Sequence, residues 1–127
     1  MAIEGRYFTW TIPAGEDMDD MRPGTGHLFK AVALDDGRIA QNGREAGGIL
    51  LYGGKREEHV TLAYAGIIRF VAGEDIGRGE RLTVRSEGYF CVAKTGEYVV
   101  GRCLDALVEK YRIGTGMFNF ATASVQL

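Results

Sequence analysis

Residues 71–84 read VAGEDIGRGERLTV, with Gly73, Gly77 and Gly79 and a cluster of charges set between two apolar runs. Such a stretch is either a glycine-rich loop that cradles phosphate or a turn joining two strands. A dinucleotide fingerprint needs Gly-x-Gly-x-x-Gly opening a helix, and a P-loop needs Gly-x-x-x-x-Gly-Lys followed by Ser or Thr. Here Gly77-Arg78-Gly79 runs into Glu80-Arg81-Leu82, so the third glycine is missing. RLTV has the β-branched character of a strand, and without a helix N-terminus the free amides and dipole that hold an anion are absent. Glu74, Asp75 and Glu80 would repel phosphate. The stretch predicts strand, turn, strand.

The same rhythm extends in both directions. RYFTWTIP alternates, with Phe8, Trp10 and Ile12 on one face and Tyr7, Thr9 and Thr11 on the other, until Pro13-Ala14-Gly15 ends it. GEDMDDMRPGTGH is polar and glycine-rich and reads as a loop. LFKAVAL is a second strand closed by Asp35 to Gly37, Asn42-Gly43 marks a turn, and Ile49 to Tyr52 is apolar. HVTLAY and GIIRFVAG read as two further strands, followed by RLTVRS, YFCVAK and YVVGRCLDAL. Helical signal is confined to DALVEKYR, two turns ended by Gly114. MFNFATASVQL returns to alternation, with a last strand near Ser124 to Leu127.

Short apolar runs about every ten residues, with turn signals between them, predict an all-β fold. The expectation is a small single-domain β-barrel or β-sandwich-like fold with many short strands and at most one short helix. Residues 1–13 form an N-terminal strand or arm and residues 14–127 the domain. Nineteen glycines against two prolines in 127 residues agree with many tight turns. Ile3 to Arg6 read IEGR, either a protease-site linker or a coincidence.

Net charge is −2 and the 15 basic residues are scattered, which argues against a nucleic-acid partner. No basic-then-apolar leader opens the chain and no apolar run approaches the ~20 residues of a membrane span, so a reducing cytoplasm is the expected place of synthesis. Cys91 and Cys103 fit neither a redox pair nor a zinc knuckle and are expected as buried thiols, unless neighbouring strands pair them.

The residues offer little chemistry. Glu16, Asp17, Asp19 and Asp20 invite a calcium reading, but counting from Asp17 the sixth and twelfth positions are Arg22 and Leu28. His27 and His59 have no metal-ligand spacing. Ser86 and Ser124 lie in no nucleophile-elbow context. No catalytic, cofactor or metal site is expected. What remains is surface. Tyr7, Phe8, Trp10 and Ile12 either fill the core or form an arm that pairs with a neighbouring chain's sheet edge, and Phe118 and Phe120 in MFNFA have the same character.

One arrangement of residues is familiar. A segment ending in GGILL (47–51), then VTLAYAG (60–66), then AGEDIGRGERL (72–82), then GEYVVGRCLDA (96–106) resembles the small capsid decoration, or cement, proteins of tailed bacteriophages. The resemblance covers residues 28–106 and a final strand; the aromatic N-terminus and the connection from Val108 to Ala121 depart from it. It implies a β-barrel-like virion protein, made in the host bacterial cytoplasm, that binds the capsid exterior and cements neighbouring major capsid protein subunits, as a homo-trimer. The alternative is a phage surface module that recognises a host glycan or receptor.

Overall fold

The computed structural model describes residues 7–127 and turns the predicted rhythm into a chain of strands. They are β1 (Tyr7–Pro13), β2 (Ala31–Ala33), β3 (Ala46–Tyr52), β4 (His59–Val71), β5 (Ile76–Gly77) and β6 (Arg81–Val84). Then come β7 (Phe90–Val92), β8 (Tyr98–Val99), β9 (Gly101–Cys103), β10 (Leu107–Val108), β11 (Ile113–Asn119), a 3-10 turn (Phe120–Thr122) and β12 (Ser124–Val125). Ile3 to Arg6 lie outside the described residues, as does the first half of the expected arm.

The main sheet runs β2-β3-β4-β11-β9-β6-β7, antiparallel from neighbour to neighbour, and β1 adds to β4. It curls until its two ends nearly meet, giving a small all-β barrel. Gly88, just before β7, makes the seam: it accepts the Ala31 N–H (2.9 Å) and donates its own N–H to Ala40 (2.8 Å). Its φ is +74°, and a Cβ there would stand 2.9 Å from the Ala31 carbonyl oxygen. Only glycine fits that position without strain.

HVTLAY and GIIRFVAG are one strand, not two. Gly66, which reads as a break, is a bend within β4 at φ +114°. Before the bend β4 pairs with β3 and β1; beyond it, β4 pairs with β11, with Ile68 opposite Gly116 and Phe70 opposite Gly114. The expected helix over DALVEKYR is likewise absent. Its backbone is claimed from outside: Val108 pairs with Ile76, Asp75 accepts the Lys110 N–H (2.9 Å), and Tyr111 donates to Ala72 (2.7 Å) at a φ of +65°. Tertiary pairing overrides a weak local preference.

Two apolar cores explain why LFKAVAL and GGILL run apolar on both parities. Ala31, Ala33, Ile49 and Ala63 face the barrel interior, where Phe70, Phe90, Phe118 and Phe120 pack together. Val32, Leu50, Leu62 and Val60 face outward into a second core with Ile12, Ile39 and Ala14. The polar loop after β1 is the cover of that second core. Met18 is fully buried beneath it and Met21 packs alongside.

The glycine-rich stretch 71–84 is strand, turn, strand as expected, and its acids hold neighbouring backbone. Glu74 accepts from Val92 N–H (3.2 Å) and from Arg85 (3.1 Å). Arg85 in turn grips Glu97 through two bonds of 3.0 Å. Arg85, helped by the Lys94 N–H, holds the Glu97 carboxyl below the usual carboxylate range.

Two predictions follow from this framework of seam and ion pair. Replacing Gly88 with Ala should lower unfolding stability by at least about 2 kcal/mol in urea titration, because strain and close approach act together; an unchanged midpoint would show the seam to be dispensable. Glu97 is depressed when folded, so its contribution is present above the unfolded carboxylate value and is lost as pH falls through the folded one. Glu97→Gln should therefore cost about 1 kcal/mol at neutral pH, screening included, and the two proteins should converge in stability at acid pH, once Glu97 is protonated in the folded state. An equal deficit at both pH values would contradict the pairing.

Candidate partner-binding surface

β1 forms because YFTWTIP is aromatic and β-branched, and it ends at Pro13. It pairs with β4 from Pro13 opposite His59 to Tyr7 opposite Gly66. Among the described residues its other edge has no strand beside it. Residues 7–13 carry no charge, so none of the lysines or inward charges that usually guard an edge is present.

The side chains make the edge more distinctive. Phe8 is 66% exposed, Trp10 58% and Tyr7 40%, whereas Ile12 is buried in the second core. The even-numbered face thus divides: its Ile12 end goes inward and its Phe8–Trp10 end stays on the surface. A β-bulge explains the geometry. Phe8 lies opposite Ala65 and Thr9 opposite Ala63, so Tyr64 has no residue facing it. A bulge re-aims a side chain, and Tyr64 stacks on Phe8 with ring centres 6.2 Å apart.

Trp10, Leu34, Leu62 and Tyr64 then line a groove of about 500 Å³ whose floor includes Ala46, Gly47 and Phe120. Asp35, Arg44 and Glu45 stand at its rim. Scattered exposed apolar residues are ordinary, but a contiguous aromatic patch with a polar rim marks an interaction surface.

The remaining candidates fall elsewhere. Phe118 and Phe120, expected beside the aromatic arm, are buried in the barrel core, and only Phe120 reaches the groove, as part of its floor. The acidic residues after β1 serve the loop: Glu16 accepts the Ile39 N–H and Asp17 the Arg56 N–H (2.9 Å each). The Arg22 hydrogen bonds hold Asp20 down at about 2. No group of three or more His, Cys, Asp or Glu among the described residues is placed to hold a metal ion. Cys91 and Cys103 are buried free thiols, both pushed up by burial. Sequence reading missed Tyr64 and Leu34. Tyr64 shares a parity with Val60 and Leu62, and nothing local says that a bulge turns it, half-buried, against Phe8 at the groove.

Comparison of the whole fold adds a structural neighbour. A bacteriophage head-fiber base has this fold. The crystal structure of the head fiber gp8.5 N base of bacteriophage phi29 superposes with a TM-score of 0.68, over 96% of this chain and 98% of that one. Identity is 13%, so the likeness is one of architecture. No protein-family model matches the chain, and no curated protein sequence does.

Trp10 is the chain's one tryptophan, which makes its exposure measurable. Its emission should be red-shifted in the native state and readily quenched by acrylamide. Trp10→Ala should change stability by less than about 1 kcal/mol, whereas Ile12→Ala should cost about 2–4 kcal/mol. A large stability loss on Trp10→Ala would place the indole in the core instead.

Proposed function

We propose that this chain is a structural protein of a tailed-bacteriophage virion that binds the outer surface of the capsid and cements neighbouring major capsid subunits. The observation that carries the reading is the uncharged outer edge of β1 with its exposed Tyr7, Phe8 and Trp10. Supporting it are the fold shared with a phage head-fiber base and the decoration-protein cadence of residues 28–106. Ile12, Phe118 and Phe120 act beneath the contact, by fixing the strand and the groove floor.

The physics suits a cement. An extended segment of a capsid subunit adds to the free β1 edge through backbone hydrogen bonds, and alternate side chains meet the aromatic face. One such contact is small. Repeated over several subunits, and over the copies of a trimer, it becomes effectively strong without any new chemistry. The function calls on no catalytic group, cofactor or nucleic acid.

The groove supports a second reading. Trp10 and Tyr64 beside Asp35, Arg44 and Glu45 offer the stacking face and polar rim that suit a sugar ring, as in a module for host glycans. Binding separates the two. The purified protein should bind expanded phage heads saturably and raise their resistance to heat, and Phe8→Ala with Trp10→Ala should weaken binding about 10- to 100-fold. Retention on bacterial polysaccharide, with no affinity for heads, would replace the cement reading by the glycan one.

A further inference from the structure

Strand β6 carries a hydroxyl that the fold leaves without a partner. Leu82 and Val84 face the barrel core, so Thr83 between them points outward. It is nonetheless only 1% exposed, and its Oγ1 is buried with no hydrogen-bond partner. The cover is close. A side-chain carbon on Gly43 would stand 2.6 Å from that oxygen and 2.9 Å from the Tyr98 carbonyl oxygen. A buried polar atom left unpaired is rare in a folded protein, and a ligand that it serves is one explanation.

Thr83 lies in the wall of an open cleft of about 480 Å³. That size suits a small molecule or one unit of a polymer. Asn42 and Arg44 come from the turn before β3, Glu97 and Tyr98 from β8 and the residue before it, and Val125 from β12, where it pairs with Tyr98. Of these residues only Arg44 also lines the Trp10 groove.

The cleft holds unspent donors and acceptors of both kinds. Arg44 is exposed and takes part in no ion pair among the described residues. Asn42 uses its Oδ1 for the Glu45 N–H (3.0 Å), which leaves its amide nitrogen to donate. Glu97 accepts two bonds from Arg85 and one from the Lys94 N–H, and a carboxylate has room for about four. Charge balances: Arg85 is shared between Glu97 and Glu74, so Arg44 and Arg85 face two carboxylates. The half-buried Tyr98 and exposed Val125 add an apolar strip.

We propose that this cleft binds one pyranose unit of a glycan. Arg44 and the Asn42 amide donate to sugar oxygens, Glu97 accepts from a hydroxyl, and the C–H face of the ring lies on Tyr98 and Val125. The Thr83 hydroxyl gains its missing partner, directly or through one water at the Gly43 edge. An anion finds no net positive field here, and an apolar ligand would leave the polar groups unpaired. The inference stands independently of the capsid reading and concerns a different site from the Trp10 groove.

Amide chemical shifts of the full chain, titrated with glucose, galactose, mannose or N-acetylglucosamine to about 100 mM, test it. At least one of these should shift residues 42–44, 83 and 96–98 saturably, while the open-chain polyol sorbitol does not. Thr83→Val should weaken that binding at least about tenfold while the free protein melts no lower, because the hydroxyl lost had no partner. Thr83→Ser should keep the binding, and so should Trp10→Ala. No saturable shift at these residues with any of the four sugars would overturn the proposal. So would an equal response to sorbitol, native-like binding by Thr83→Val, or binding that Trp10→Ala removes.

Discussion

Two of the four core phenylalanines, Phe70 and Phe118, fit only because glycines face them. A side-chain carbon on Gly116 would stand 2.6 Å from the Phe118 ring, one on Gly114 3.1 Å from Phe70, and one on Gly101 would also collide with Phe118. These glycines lie within β9 and β11, so they serve the core and not the turns. With no side chain between ring and backbone, β4, β11 and β9 close around the rings, and the sheet bends enough to bring Gly88 against Ala31 and Ala40. The same curl leaves β1 on the outer part of β4, with a free edge.

That packing also shows where sequence reading succeeds. Strand, turn, strand over residues 71–84, the all-β class and the alternation in RYFTWTIP are all visible, because turn residues and two-residue periodicity are local. Glycine is ambiguous to the same reading. Gly66 resembles a break and is a bend inside one strand, and Gly114 resembles a helix stop and faces a ring. DALVEKYR has helical spacing, but its N–H groups are taken by Asp75 and Ala72, far away in sequence. The polar loop hides Met18, whose burial depends on an outer core that forms only when β2, β3 and β4 pair.

The candidate site was half visible for a related reason. Tyr7, Phe8 and Trp10 stand out in the sequence, and alternation alone sends Phe8, Trp10 and Ile12 to one face. It cannot say where along that face the cover ends. The loop carrying Ala14 and Met18 covers Ile12 and stops short of Trp10. Phe118 and Phe120 look like the N-terminal aromatics, but Phe118 lies on glycine-lined β11 and Phe120 directly after it, and both are drawn inward. An exposed, uncharged edge strand invites aggregation in an ordinary soluble domain. Its presence beside a bulge that aims Tyr64 at Phe8 makes best sense if a partner strand covers it.

Amide hydrogen exchange over residues 7–13, with and without expanded phage heads, addresses the proposed contact most directly. Strand addition predicts that the β1 amides pointing away from β4 exchange quickly in the free protein and slow markedly on bound heads. Saturable binding to heads with exchange over 7–13 unchanged, and protection appearing on another face, would contradict the account.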